Sequence, residues 1–231
     1  MTLHAGTSGF SYPGWRGVFY PERLSAGRMF AHYASRLNAI EMNGSFYRMP
    51  SQAALAAWAA TAPEGFRFSF KVHRGVSYSA AAFPKLELAA DFARRLAPLG
   101  PMAGPVLLQF PPSARPDPGL LDAILDVLAA PTAVEPRSEA WFTPEIEAVL
   151  RRQGAALVVT DEEKWPRAPQ WRTCDFAYYR LRRDYSAVEI SEWAGVLRPE
   201  LRDLRDLHVF FKHEPEAPGR ALALAAELGQ G

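Results

Sequence analysis

Ala39-Ile40-Glu41-Met42-Asn43-Gly44-Ser45-Phe46-Tyr47 reads as a short strand that runs into a Gly-Ser-aromatic turn. Successive side chains on a strand point to opposite faces. Ile40 and Met42 therefore face one way, and Glu41 and Asn43 the other. The same signature recurs down the chain: an apolar phase, and a polar residue of the other phase near the strand's C-terminal end.

Working outward, strand one is Leu3 to Gly9, and a turn crowded with Gly, Pro and aromatics follows, Phe10-Ser11-Tyr12-Pro13-Gly14-Trp15. Arg28 to Leu37 has helical spacing. Ser51 is a candidate N-cap for an Ala-rich helix through Ala60, since a Ser hydroxyl satisfies a free N–H of the first turn and Ala favours helix. Arg67 to His73 alternates cleanly as strand three. Leu86 to Leu96 is the next helix, and Gly104 to Phe110 is a buried strand stopped by Pro111-Pro112. Leu120 to Leu128 is helical, Thr132 to Arg137 is strand five, and Thr143 caps a helix through Arg152. Ala156 to Asp161 is strand six, and Glu162 to Thr173 is a long loop holding Trp165 and Trp171. Phe176 to Arg182, a helix near Glu189 to Leu197, strand eight from Leu207 to Lys212 and a helix from Gly219 to Leu228 complete the chain.

Strands alternating with crossover helices imply a parallel sheet. Eight such units predict an α/β protein with a single-domain TIM (β/α)8 barrel over residues 1–231. An open doubly wound sheet is the competitor, and it lacks its usual support. Gly6-Thr7-Ser8-Gly9 is not the G-x-G-x-x-G turn of a dinucleotide binder.

Composition narrows the partners. The chain has 231 residues, 48% of them hydrophobic, and a net charge of +1. That is ordinary globular composition without a bulk pull toward nucleic acid or membrane. Cys174 is the single cysteine, so an internal disulfide is excluded, and a reducing cytoplasm is the expected compartment. No signal peptide and no apolar run of membrane-spanning length is visible, so no membrane partner is expected.

In a barrel the C-terminal strand ends carry the active site. Taking the inward phase strand by strand gives Ser8, Glu41 with Asn43, Lys71, Gln109, Glu135 with Arg137, Asp161, Arg180 and Lys212, with Arg74 just beyond strand three and His73 and His213 as further candidates. The loops above add Tyr12, Trp15, Tyr47 and Trp141. Converging cations suit a phosphate, phosphodiester or carboxylate, because guanidinium groups bind such anions bidentately. Carboxylates among them can orient a cation, act as general base or hold a metal. The candidate catalytic residues are Glu135, Asp161 and Lys71. Lys71, Arg137 and Arg180 form the charge clamp, and Glu41 and Asn43 orient the ligand. The plain alternative is a buried salt-bridge network with packing aromatics. A non-catalytic binder of nucleic acid or a nucleotide, using the loop aromatics for stacking, is a second reading. A sugar-active barrel using a carboxylate pair is a third. The cofactor requirement and oligomeric state are not read from the sequence, and no metal site is expected. His4, His32 and His208 read as structural or exposed, and Cys174 as inert.

Several motifs together resemble the YecE-like family (domain of unknown function 72). They are Gly6 to Trp15 with Gly17-Val18-Phe19-Tyr20-Pro21, Glu41 to Tyr47, Phe70-Lys71-Val72 with Arg74, Leu108-Gln109-Phe110-Pro111-Pro112, Val134-Glu135-Pro136-Arg137 with Trp141, and Tyr179-Arg180-Leu181. The resemblance implies a TIM barrel and no established activity. A looser similarity of the family to xylose isomerase and endonuclease IV-like barrels implies DNA binding or phosphodiester chemistry as an option. The chain departs from the family pattern at Ser77-Tyr78 (usually Thr-His), Arg137-Ser138 (Arg-His), Arg180-Leu181-Arg182-Arg183 (Arg-Leu-His-Gly) and Phe211-Lys212-His213 (Phe-Asn-Asn). Three expected histidines are absent and basic groups are added. Histidine is the common transition-metal ligand and proton shuttle, so a zinc cluster is not expected and anion binding is strengthened.

Overall fold

The computed structural model describes residues 1–78, 85–212 and 214–229, so His213 lies outside the described residues. Its strands are β1 (Thr2–Ser8), β2 (Ala39–Met42), β3 (Arg67–Phe70), β4 (Val106–Phe110), β5 (Thr132–Pro136), β6 (Ala156–Leu157), β7 (Val159–Asp161), β8 (Phe176–Leu181) and β9 (Asp206–Phe211). The helices are α1 (Ala26–Ala34), α2 (Gln52–Thr61), α3 (Arg74–Ser77), α4 (Lys85–Leu96), α5 (Pro118–Leu128), α6 (Pro144–Gln153), α7 (Ala187–Asp203) and α8 (Ala217–Glu227).

The pairing closes a ring. Parallel strands run in the order β3-β2-β1-β9-β8-β7, and a second parallel set runs β4-β5-β6. β6 and β7 are halves of one barrel strand, broken at Val158, whose N–H still donates to the Val134 carbonyl at 2.9 Å. The seam between β3 and β4 is joined by Val72 N–H to Leu107 O and Gly104 N–H to Phe68 O, both 2.9 Å. With β6–β7 counted once, eight parallel strands form a TIM barrel with crossover helices outside it.

Local chemistry sets the element ends. Ser51, Asp117 and Thr143 each cap a helix by accepting a backbone N–H of its first turn. Ser186 and Glu189 form a reciprocal capping box that starts α7 before the predicted Glu189, and the helix then continues to Asp203, six residues past the predicted Leu197. Gly6 is required by close strand approach: a Cβ there would lie 2.0 Å from the Ala39 carbonyl oxygen. The stretch from Glu162 to Thr173 carries neither helix nor strand, as its prolines predict. Among the described residues no helix is long and apolar enough to cross a membrane.

The core has two layers. Most apolar side chains lie between the strands and the outer helices. A separate cluster fills the barrel interior: Ala39, Leu107, Ala133, Ala156, Val158, Phe176, Tyr178 and Phe210. His4 and His208 stack at 4.6 Å in the lower barrel, and Tyr178 packs 5.1 Å from Phe210. Period-two alternation then carries each strand from this floor to a polar layer: Ala39 to Glu41, Leu107 to Gln109, Ala133 to Glu135, Tyr178 to Arg180.

Candidate functional site

Arg180 on β8 is the centre of the polar layer and is buried with both of its partners. Its Nε and Nη2 donate to Glu41 Oε2 (3.0 Å) and Oε1 (2.9 Å), a bidentate fork. Its Nη1 donates to both oxygens of Glu135, at 2.9 and 2.8 Å. One guanidinium thus joins carboxylates from β2 and β5. Burial alone would raise both acids. For Glu41 the Arg180 charge and hydrogen bonds, helped by Arg182 and Ser8, outweigh it and hold the carboxyl at about 2. For Glu135, Arg180 and Arg137 with bonds from Gln109 and Thr160 do the same, and its carboxyl sits below the usual range. Every carboxylate oxygen is also bonded elsewhere. Ser8 Oγ (2.6 Å) and Asn43 Nδ2 (2.9 Å) donate to Glu41 Oε1, and the Tyr178 hydroxyl to Oε2 (2.9 Å). Thr160 Oγ1 donates to Glu135 Oε1 (2.7 Å) and Gln109 Nε2 to Oε2.

Two arms leave this cluster. Gln109 turns its Oε1 toward Lys71 Nζ (2.8 Å) and the Tyr78 hydroxyl (3.0 Å), and Lys71 Nζ also lies 4.0 Å above the Phe46 ring. Burial, with the Arg180 charge, lowers the Lys71 ammonium to about 8, and the pull of Glu135 and Glu41 offsets this only in part. On the other arm, Arg182 Nη1 donates to Ser8 Oγ at 2.8 Å.

The rim is less complete. Among the described residues, Arg137 Nε, Arg182 Nε, Trp165 Nε1, Asn43 Oδ1 and Glu214 Oε2 are buried atoms with no hydrogen-bond partner. Buried polar groups are ordinarily paired, and leaving one unpaired costs about 1–3 kcal/mol. The Arg137 guanidinium lies 4.4 Å over the Trp165 ring. Lys212, by contrast, pairs with Glu214 at 2.9 Å.

Known proteins supply the family but no activity. The model described as "Protein of unknown function DUF72" matches residues 4–231. The chain belongs to the DUF72 family. It is 29% identical over 114 residues to the UPF0759 protein YecE of Escherichia coli (strain K12), an alignment covering 49% of this chain. The chain spans only 39% of that curated relative's length. Among solved structures, a DUF72 protein from Thermotoga maritima superposes with a TM-score of 0.81 at 25% identity, covering 99% of this chain and all of the other. A DUF72 protein from Enterococcus faecalis gives 0.85 at 21% identity, covering 100% of this chain and 96% of the other.

Within this DUF72 barrel the sequence-predicted residues divide. Ser8, Glu41, Asn43, Lys71, Gln109, Glu135 and Arg180 come together in one network. Arg137 stands at the rim. Asp161 does not join: Ala156, Val158 and Thr160 share the inward phase, so Asp161 takes the outward one with Leu157 and Val159. Asp161 instead pairs with Arg183 (2.9 Å) and accepts from the Tyr185 hydroxyl (2.7 Å). Trp15 is fully buried in the outer core against Tyr20 and Tyr33, and Trp141 is buried on Phe110 with its N–H on the Ala114 carbonyl. Both are packing residues in this geometry. Tyr12 is half-buried and donates to the Ser8 carbonyl at 2.6 Å. Tyr47 is 70% exposed, Arg74 is exposed at the start of α3, and His73 caps that helix through its Nδ1. Thr160, Tyr178 and Tyr78 belong to the network and were missed as inward residues. The Tyr178-Arg180-Arg182 alternation was the available signal for one of them. Among the described residues no three or more of His, Cys, Asp and Glu are placed to hold a metal.

Proposed function

We propose that the barrel mouth binds a small anionic ligand, a phosphate-bearing compound or a carboxylate, between Lys71, Arg137 and Arg182. One observation carries the reading. Glu41 and Glu135 are both taken up by Arg180, while Arg137 and Arg182 keep buried N–H donors without acceptors among the described residues. An oxyanion supplies several acceptors and negative charge at once. Phosphoester chemistry at this site would need a proton acceptor. Lys71 suits that role better than Glu135, whose oxygens are saturated, or Asp161, which faces Arg183. Both buried carboxylates serve Arg180, so a glycosidase-type pair has no support here. Exposed Tyr47, followed by exposed Arg48, favours a second reading in which the anion is a nucleotide unit of a nucleic acid.

Titration with inorganic phosphate and nucleoside monophosphates, followed by thermal melting, tests the site. Ligand at a hundred times its Kd stabilises the fold by about 2.7 kcal/mol. The expected result is a melting shift that disappears in Lys71→Ala/Arg137→Ala. No shift with any anion overturns the proposal. Binding to short single-stranded DNA or RNA that weakens steeply with salt favours the nucleic-acid reading.

A further inference from the structure

Lys71 is not compensated as two other cations of the mouth, Arg180 and Lys212, are. Arg180 is locked between two carboxylates, and Lys212 is paired with Glu214. Lys71 forms no ion pair with a carboxylate among the described residues. Its hydrogen-bond partner is a neutral amide oxygen, Gln109 Oε1, at 2.8 Å. That oxygen cannot swap places with the amide nitrogen. Gln109 Nε2 is directed at Glu135, which only accepts, so the oxygen must face Lys71. A neutral amine can donate one N–H to Gln109 and still present its lone pair to the mouth. An ammonium has no lone pair to present. Burial and the surrounding guanidinium charges lower Lys71 to about 8, against the pull of Glu135 and Glu41, so a share of it is the neutral amine near neutral pH.

Two further groups share the space. The Tyr78 hydroxyl reaches the same Gln109 oxygen at 3.0 Å, and burial raises it, keeping the phenol protonated. The Arg137 charge is close enough to act on both Lys71 and Tyr78, and its buried Nε–H has no acceptor among the described residues.

We propose that Lys71 is a nucleophile that captures an anionic carbonyl compound, an aldehyde or ketone bearing a carboxylate or phosphate, as an imine. The proposal rests on the anion site argued above and names its substrate class. Nζ attacks the carbonyl carbon, a C–N bond forms, and the C=O electron pair moves to oxygen, which takes a proton. Nitrogen then loses its proton. The hydroxyl leaves as water with a proton delivered through Tyr78, and the nitrogen lone pair closes the C=N bond. One water is released and no redox partner is needed. Arg137 holds the anionic end, and Phe46 covers one side of the amine. An activated lysine of this type is a recognised route to covalent catalysis on carbonyl substrates.

The test is reductive trapping. Wild-type protein is incubated with pyruvate, dihydroxyacetone phosphate or acetaldehyde, reduced with sodium borohydride, and mapped by peptide mass spectrometry. Parallel melts with pyruvate and dihydroxyacetone phosphate, without reductant, measure binding alone. The expected result is a reduced adduct on Lys71, formed with one or both anionic probes about tenfold or more above acetaldehyde, since a charge-assisted contact contributes that much selectivity. Which anion labels more tells carboxylate from phosphate. Lys71→Arg, which keeps the charge and the fold, loses the adduct. Melting shifts without an adduct on Lys71 overturn the imine and leave the anion site standing. Neither shift nor adduct overturns both. Labelling spread over surface lysines, or equal with acetaldehyde, shows a merely accessible amine and overturns the proposal.

Discussion

The floor and the mouth of this barrel both bury polar side chains, and they handle them differently. At the floor, His4 and His208 stack among Phe176, Tyr178 and Phe210. Burial lowers both imidazoles, His208 well below the ordinary value, so the floor holds neutral rings rather than charges. At the mouth, the charge of Glu41, Glu135 and Arg180 is retained and compensated in place, and a rim of cations with open donors stands above it. Neutral burial at one end closes the barrel. Charged burial is harder to sustain, because desolvating an ion costs several kcal/mol unless its partners are excellent. Unpartnered buried atoms lie at both ends among the described residues, His4 Nδ1 and His208 Nδ1 at the floor and the rim atoms at the mouth, but only at the mouth do they include cationic donors, at the end where barrel enzymes bind ligands.

The largest effect should come from breaking the mouth's internal compensation. Arg180→Met leaves two buried carboxylates facing each other without a cation. A loss of about 3–5 kcal/mol in urea denaturation is expected, enough to unfold a marginal chain. Adding Glu41→Gln and Glu135→Gln should recover much of it. A loss under about 1 kcal/mol for Arg180→Met alone would mean that the cluster is far wetter than its geometry indicates.

The floor should respond to acid instead. His208 binds its proton much less readily folded than unfolded, where its pKa is about 6.5. The unfolded chain therefore binds more protons below that pH, and stability falls as pH drops through it, by up to about 1.4 kcal/mol per pH unit for this histidine. His208→Phe should flatten the slope between about pH 6.5 and 5. An unchanged slope would place the acid sensitivity elsewhere.

Lys71 gives a signal of the same sign at high pH. Its folded value of about 8 lies below the unfolded value of about 10.5, so stability should rise with pH between them. Lys71→Met should remove the rise. The smallest effect is expected at the rim: Arg137→Ala should change stability by less than about 1 kcal/mol in phosphate-free buffer, since its Nε has no acceptor among the described residues and its pull on Glu135 is second to that of Arg180. A large loss there would make Arg137 part of the structural network rather than an open site.

The sequence made the barrel legible because each strand repeats one rule, apolar outward and polar at the inward C-terminal end. Glu41, Gln109, Glu135 and Arg180 were all found that way. Asp161 is misplaced because its strand is apolar on both phases through Val159, so the pattern does not mark Thr160 rather than Asp161 as the inward residue. Trp15 and Trp141 looked like mouth aromatics because loop residues carry no periodicity to say which way they face. The clamp of Arg180 on Glu41 and Glu135 joins residues 139 and 45 positions apart, a pairing that spacing cannot reveal. Nor can spacing show which arginines end with open donors.

The most direct measurement is the phosphate-dependent melting temperature of three proteins side by side: wild type, the mouth variant Arg137→Ala and the floor variant His208→Phe. The account predicts that phosphate raises the melting temperature of wild type and of His208→Phe, whatever their starting stabilities, and leaves Arg137→Ala unmoved. A shift that survives in Arg137→Ala, or is absent from wild type, would contradict it.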